Sequence, residues 1–429
     1  MRRTMTGAAL ATLALAVTAA CGGGGGTAAG ALTSHGPIKI WMSNNPEEIT
    51  WAKAMVAGWN AAHPTEQVTA QEIPAGKTSE EVIGAAITAG NAPCLVFNTS
   101  PAAVPQFSKQ GGLVSLNSFA DGASYVTART GASVADQYKS PDGSFYQLPW
   151  KSNPVMIFYN KDIFAKAGVD PVNPPLKTYD QFVATSKKIV ASGAAKAAIY
   201  PAPTSEFFQS WFDFYPLYAA ETNGTSLIQN GKATFDSPQG KAVANFWKSL
   251  YASGSAPKES YTGDAFADKK TAMAIVGPWA IAVYAGKVNW GVVPVPTSVG
   301  MPADQIKTFS DAKNVAIYSA CTNQATAWDV LKFATSPAQD GALLKTTGQM
   351  PLRANLPAAY PDYFTSHPQY AAFAAQAART VEVPNVPGSV AIWQAFRDQY
   401  SAAVIFGKSS VDDALKKAAD KADQLVAQP

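Results

Sequence analysis

The stretch Ile38-Lys39-Ile40-Trp41-Met42-Ser43-Asn44-Asn45-Pro46-Glu47-Glu48 opens the reading of the fold. Its first residues alternate apolar and polar as a strand does, and Ser43 to Glu48 is a polar turn. Beyond the turn, Ile49, Ala52, Met55, Val56 and Trp59 recur at helical spacing, and the helix is expected to stop near His63-Pro64. Val68 to Ile73 reads as a second strand. Thr78 to Gly90 reads as a second helix with Ser79 as its cap. Cys94-Leu95-Val96-Phe97 is a third strand, ending in the turn Asn98-Thr99-Ser100. Strand–helix–strand–helix–strand implies an α/β fold with a parallel sheet and right-handed crossovers. Such sheets bind ligands outside the carboxyl ends of their strands. The turns at 43–45 and 98–100 fall there, so Asn44, Asn45, Asn98 and Ser100 are candidate ligand contacts. Each is equally an ordinary cap or turn residue.

Upstream, Met1-Arg2-Arg3 precedes an apolar and small-residue run, Ala8 to Ala20, then Cys21 and the glycines Gly22 to Gly26. Two positive charges, a short apolar core and small residues before a cut make a secretory signal peptide. A cysteine at the cut followed by a glycine tether looks like a bacterial lipoprotein signal. Cys21 would carry the lipid and hold the protein on the extracytoplasmic face of the membrane. Thr18 departs from that pattern, and Arg2-Arg3 leaves the export route open. Residues 22–36 read as a flexible linker.

A chain of 429 residues exceeds one compact core, so two domains are expected. Apolar residues make up 47% and charged residues 15%, which is a globular composition. The formal charge of +3 includes Arg2 and Arg3, which leave with the leader. A near-neutral protein without basic runs is a poor nucleic-acid binder. Past the leader no apolar run is long enough to span a bilayer. Cys94 and Cys321 can pair outside the cell or stay as buried free thiols. His35, His63 and His367 are scattered without zinc spacing, so no metal or cofactor is expected.

Farther on, Gln147-Leu148-Pro149-Trp150 and Val155 to Asn160 bracket Lys151-Ser152-Asn153, which reads as a crossing between domains. Residues 206–218 hold seven aromatics in thirteen positions. Thr178 starts a helix, and Thr326 to Ala334 is helical. Ser409 and Asp412 have capping-box spacing before an amphipathic tail. There is no internal repeat.

Several phrases together resemble one family. They are Leu148-Pro149-Trp150; Phe158 to Gly168; Pro175 to Phe182; Ala272-Met273-Ala274-Ile275-Val276-Gly277-Pro278-Trp279; Gly291 to Pro296; and Gly407 to Leu415. In this order they are similar to the carbohydrate-binding extracellular solute-binding proteins of ABC importers, the group that includes maltose-binding protein. The resemblance runs from about Ile38 to the end. It implies a periplasmic-binding-protein-like fold, with two α/β lobes joined by a hinge of three crossing segments. The crossings are expected near Lys151–Asn153, Phe309–Lys313 and Thr335–Pro337. That gives a leader at 1–20, a linker at 21–36, a first lobe from 37–151 and 309–336, and a second from 154–306 and 338–429. The polar run Phe309-Ser310-Asp311-Ala312-Lys313-Asn314 replaces the family's glycine-rich loop, and Tyr179 stands where Trp is usual.

A sugar presents flat C–H faces and hydroxyl edges, which call for aromatic platforms and hydrogen-bonding side chains. By resemblance Trp279 and Trp393 are the platforms, joined by one or two of Trp211, Phe212 and Tyr215. Asn153 is a polar candidate from the hinge, and Asp311, Lys313 and Asn314 come from the second crossing. Arg353 could hold a hydroxyl pair or form a salt bridge. The function this implies is capture of a mono- or oligosaccharide by hinge closure and delivery to the membrane permease of an ABC importer, by a lipid-anchored monomer. An amino sugar or a glycerophosphodiester is the alternative ligand. A surface-anchored glycoside hydrolase would need two positioned carboxylates, whereas the candidate turns carry amides and hydroxyls, Asp311 excepted. No Gly-x-Ser-x-Gly or His-Glu-x-x-His motif is present, so no catalytic residue is assigned.

Overall fold

The computed structural model describes residues 30–75, 78–200, 209–386 and 388–427. The leader, Cys21 and the glycine tether lie outside those residues. The first sheet runs Met350–Pro351, Leu148–Ser152, Lys313–Ile317, Leu95–Thr99, Ile38–Met42, Val68–Glu72. Ile38–Met42 pairs in parallel with both Val68–Glu72 and Leu95–Thr99, as right-handed strand–helix–strand units require. Lys313–Ile317 is antiparallel to Leu95–Thr99 and to Leu148–Ser152.

The first helix, Pro46–Ala62, starts where Asn45 accepts the backbone N–H of Glu48 at 2.9 Å, with Pro46 in its first turn. Trp51, Met55 and Trp59, four residues apart, bury one stripe against the sheet. The second helix, Ser79–Thr88, is capped by Thr78 rather than by Ser79. Thr78 has the extended backbone of a cap and its hydroxyl accepts from Glu81 N, whereas Ser79 is already helical. Cys94 and Cys321 form a disulfide between the ends of neighbouring antiparallel strands.

The second sheet runs Trp290–Val293, Met156–Asn160, Thr271–Val276, Ala197–Ile199. Gly291 pairs with Tyr159, and a Cβ there would collide with the tyrosine ring, so this position requires glycine. Helix Gln209–Glu221 carries the aromatic run. Trp211, Phe214, Tyr215 and Tyr218 are buried in the large core shared with Trp247, Phe396 and Tyr400. The C-terminal helix Val411–Val426 is capped by Ser410, which accepts from Asp413 N at 3.0 Å, one residue later than the Ser409/Asp412 spacing suggested.

The chain passes from the first sheet to the second at Asn153–Val155 and returns through Phe309–Ala312. These two crossings lie side by side, with Pro154 bridged to Ser310 and Asp311 N donating to Asn153 O at 3.0 Å. The third crossing departs from the expectation at Thr335–Pro337. Ser336 caps a further helix, Pro337–Thr347, that stays on the first lobe, where Trp51 Nε1 donates to Gln339 O. Met350–Pro351 then adds the edge strand beside Leu148–Ser152. Of residues 338–351, expected in the second lobe, Met350–Pro351 therefore joins the first sheet and the helix packs on the first-lobe helix Pro46–Ala62, although Leu344 and Met350 also enter an apolar cluster with Phe158 of the second lobe. The chain leaves at Leu352, and Leu356, Tyr363, Tyr370 and Phe373 pack against Phe158 and Tyr284 of the second lobe.

Candidate functional site

A cavity of about 470 Å³ lies between the lobes, within the range of small-molecule sites. The first-lobe side contributes Glu80, Ser100, Asp311 and Lys313. The second-lobe side contributes Phe212, Asp213, Asp264, Trp279, Tyr284 and Trp393. Asp311 and Lys313 pair at 2.9 Å. Burial alone would lower the Lys313 ammonium, but the Asp311 carboxylate outweighs it and holds the group above its ordinary value.

Trp279 is partly buried, with its ring edge-on to Phe212 at 6.1 Å. It folds back over Gly277, where any Cβ would collide with the indole, which gives the Gly-Pro-Trp phrase its physical reason. Trp393 reaches the cavity but is only 6% exposed, packed on Trp211 at 4.7 Å. It is therefore chiefly a core residue with an edge in the wall. Of the three candidates on helix Gln209–Glu221, Phe212 lines the cavity. Trp211 and Tyr215 point one turn apart into the core instead, where the Tyr215 hydroxyl donates to Glu382 O and its ring stacks on Phe309.

Ser100 lines the cavity, but the other first-lobe amides do structural work. Asn44 is exposed outside the cavity wall, and Asn45 is the helix cap described above. Asn98, with φ of 75°, turns its Oδ1 toward Lys151 Nζ at 3.2 Å. Asn153 Nδ2 donates to Asp311 O at 3.1 Å. Asn314 is fully buried, accepting from Trp150 N and donating to Gln147 Oε1 at 2.6 Å. Strand alternation sends Asp311 and Lys313 into the cavity and Asn314 away from it. Arg353 also lies outside the wall. It donates to Asp340 and to Thr335 O, beside Arg129, which makes a second ion pair with Asp340.

Beneath the cavity, Glu48 accepts from Lys151 Nζ at 2.5 Å, Gln349 Nε2 at 2.6 Å and Ser43 Oγ at 2.6 Å. Burial would raise the Glu48 carboxyl, yet Lys151 and these donors hold it below its ordinary value. Burial in turn lowers the Lys151 ammonium. A second buried acid, Glu382, faces Tyr138 where the lobes meet. Burial pushes it up to about 8; the neighbouring Tyr138 hydroxyl opposes the rise and the Asp311 charge adds to it. Close by, Asn385 Nδ2 donates to Lys139 O across the same contact.

Residues 43–341 match the family model described as bacterial extracellular solute-binding protein. The chain belongs to this family. A binding protein of Brucella abortus (strain 2308) is 28% identical over 298 residues, 66% of this chain and 69% of that one. The diacetylchitobiose binding protein of Streptomyces coelicolor is 26% identical over 355 residues, 78% of each chain. A sn-glycerol-3-phosphate-binding periplasmic protein of Agrobacterium fabrum is 45% identical, but over 65 residues only, 15% of each. The crystal structure of the cyclic alpha-maltosyl-1,6-maltose binding protein of Arthrobacter globiformis superposes with a TM-score of 0.76 at 23% identity, covering 91% of this chain and 99% of the other. That likeness concerns the fold.

For this solute-binding protein the sequence reading missed Glu80, Asp213, Asp264 and Tyr284 as wall residues. Glu80 looks like any acid in a helix's first turn. Asp213 sits among aromatics that draw attention to the core. Asp264 accepts from Phe266 N and Ala267 N and so reads as a turn residue. The walls thus carry carboxylates where amides and hydroxyls were expected. Among the described residues no helix is long and apolar enough to cross a membrane, and no group of His, Cys, Asp and Glu could hold a metal.

Proposed function

We propose that this solute-binding protein captures a saccharide between its lobes and hands it, unaltered, to the permease of an ABC importer. One observation carries the reading: the cavity is walled from both lobes across three short crossings. A ligand held there touches both walls fully only when they close, so it favours the closed state. Trp279 and Phe212 supply ring surface for sugar C–H faces, and Ser100, Asp311 and Lys313 supply hydrogen bonds to hydroxyls. The sugar-binding names of relatives support the ligand class. The first lobe comprises 37–153 and 311–351, and the second comprises the rest of the folded chain.

Thermal-shift screening over a sugar panel tests the reading, because a ligand bound only by the folded state raises apparent stability. Scattering with a confirmed ligand should show a more compact particle. An unchanged radius at saturation would sink the closure mechanism. Recovery of the bound sugar intact after long incubation tests the absence of catalysis. The protein acts as a monomer anchored through Cys21. Cys21→Ala should abolish lipid labelling and release the protein into the medium, and unchanged membrane retention would refute the anchor.

A further inference from the structure

The cavity is acidic although the chain is not. Across all 429 residues the formal charge is +3. Yet the described wall residues include four carboxylates, Glu80, Asp213, Asp264 and Asp311, and one cation, Lys313. The wall therefore has a formal surplus of three negative charges, and Lys313 is engaged by Asp311 at 2.9 Å. The carboxylates come from both lobes, so closing the cleft brings them together as water leaves. Like charges repel more strongly as the local dielectric falls. A neutral sugar can donate hydroxyls to these groups but leaves the surplus charge in place. A phosphate or carboxylate on the ligand would add to it, and no described wall residue is an arginine that could take an anion in its fork.

The same wall suits a cation in a second way. Trp279, Trp393 and Phe212 line it beside the acids, and aromatic faces attract ammonium groups. We propose that the saccharide taken by this cleft carries a protonated amine, and that phosphorylated or acidic sugars are rejected. This rests on the saccharide-binding reading and narrows it. The ring faces hold the sugar body, and the acids from the two lobes share the charge of the amine once the cleft is shut.

Matched probes test it on the full folded protein by calorimetry at near-neutral pH and low ionic strength. Cellobiose, its 2-amino counterpart chitobiose, and N,N′-diacetylchitobiose share one linkage and differ at C2 in hydroxyl, ammonium and neutral amide. Glucose, glucosamine and glucose 6-phosphate compare a neutral sugar, an ammonium at C2 and a phosphate at C6 with no linkage at all. The amine form should bind at least about tenfold more tightly than its neutral counterparts, since one moderately screened charge contact is worth that much. Its advantage should shrink at about 0.5 M salt, where screening lengths fall to a few ångströms. Glu80→Gln should move the amine-to-neutral ratio toward one. Neutral or phosphorylated probes binding as tightly as the amines would overturn this inference and leave the saccharide reading standing. If none of the six binds while a non-sugar solute stabilises the protein, the saccharide reading itself falls, and this inference with it.

Discussion

Replacing Glu382 by glutamine should stabilise the protein in alkaline solution and change little in acid. The side chain is 6% exposed and faces Tyr138 at the contact between lobes; its Oε2 and the tyrosine hydroxyl are both buried without a well-formed hydrogen bond. Burial lifts its pKa from an ordinary 4.5 to about 8. Below the lower value both folded and unfolded chains hold the proton, and the group costs nothing. Between the two values the unfolded chain has lost the proton and the folded one keeps it, so stability falls as pH rises. Above the upper value both are ionised and the loss is complete. At about 1.4 kcal/mol per pH unit, the penalty is roughly 3 kcal/mol at pH 7 and on the order of 5 kcal/mol at pH 9. If the lobes part at this contact before the protein unfolds, water reaches the carboxylate and the loss is capped by the free energy of that parting.

Gln has the same shape and does not ionise. Urea unfolding of the wild type and Glu382→Gln should be followed from acid to alkaline pH, with the difference between the two curves as the readout, because other groups titrate in both. The difference should be near zero below the ordinary carboxyl value and grow in favour of Gln as pH approaches 8. A difference independent of pH would refute the reasoning, because then Glu382 would have the same proton affinity folded and unfolded.

Trp279→Ala should cost clearly less stability than Trp393→Ala and weaken sugar binding about tenfold, since the ring is only partly buried in the cavity wall. Trp393→Ala should instead cost about 3–5 kcal/mol of stability, measured by denaturant titration, because its ring is packed on Trp211. Gly277→Ala should mimic Trp279→Ala in a binding assay while retaining the tryptophan, because the added Cβ displaces the indole from the wall. Opening the Cys94–Cys321 bridge, which spans 227 positions, should lower unfolding free energy by about 5 kcal/mol in the chain-entropy picture, and an unchanged midpoint after verified reduction would contradict it.

What the sequence could and could not disclose follows from the range of each interaction. The parallel units from Ile38 to Thr99 were legible because strand and helix periods are local, and so were two helix starts to within one residue, Thr78 and Ser410 capping where Ser79 and Ser409 were expected. The aromatic run at 206–218 stood out in the sequence as a source of ligand platforms, but which of its rings turn outward depends on a rotation fixed by distant Trp393, Phe309 and Phe396. Asn314 and Arg353 have the right chemistry for a ligand and spend it on partners far along the chain, Gln147 and Asp340. The third crossing was misplaced because Ser336-Pro337 signals the end of one helix and the start of another equally well. Pairing of Met350–Pro351 with a strand some 200 residues earlier carries no local mark. The disulfide was open for the same reason: spacing cannot say that two strand ends are neighbours.

The hydrogen bonds at the hinge also confine where bending can occur. On the first-lobe side, Asn153 is tied to Asp311 through both backbone and side chain, and Gln349 is tied to Glu48. On the second-lobe side, Val155 N donates to Phe309 O at 3.0 Å, and the Thr308 hydroxyl returns to Val155 O at 2.7 Å. Between these two clamps each of the paired crossings has one residue, Pro154 and Ser310. Ser310 bonds both ways, its N–H to Val381 O and its hydroxyl to the Ser152 side. Breaking the buried Glu48–Lys151 pair during closure would cost more than rotating a few backbone torsions, so rotation has to fall outside that network. It is left with Pro154, Ser310 and the segment after Leu352, where Asn355 already sits at positive φ. Asp311 and Lys313 then travel with the first lobe, and Trp279 and Asp264 with the second. Under the proposed closure, a pivot this narrow, directly beside the cavity, would turn a small rotation into the meeting of the two walls.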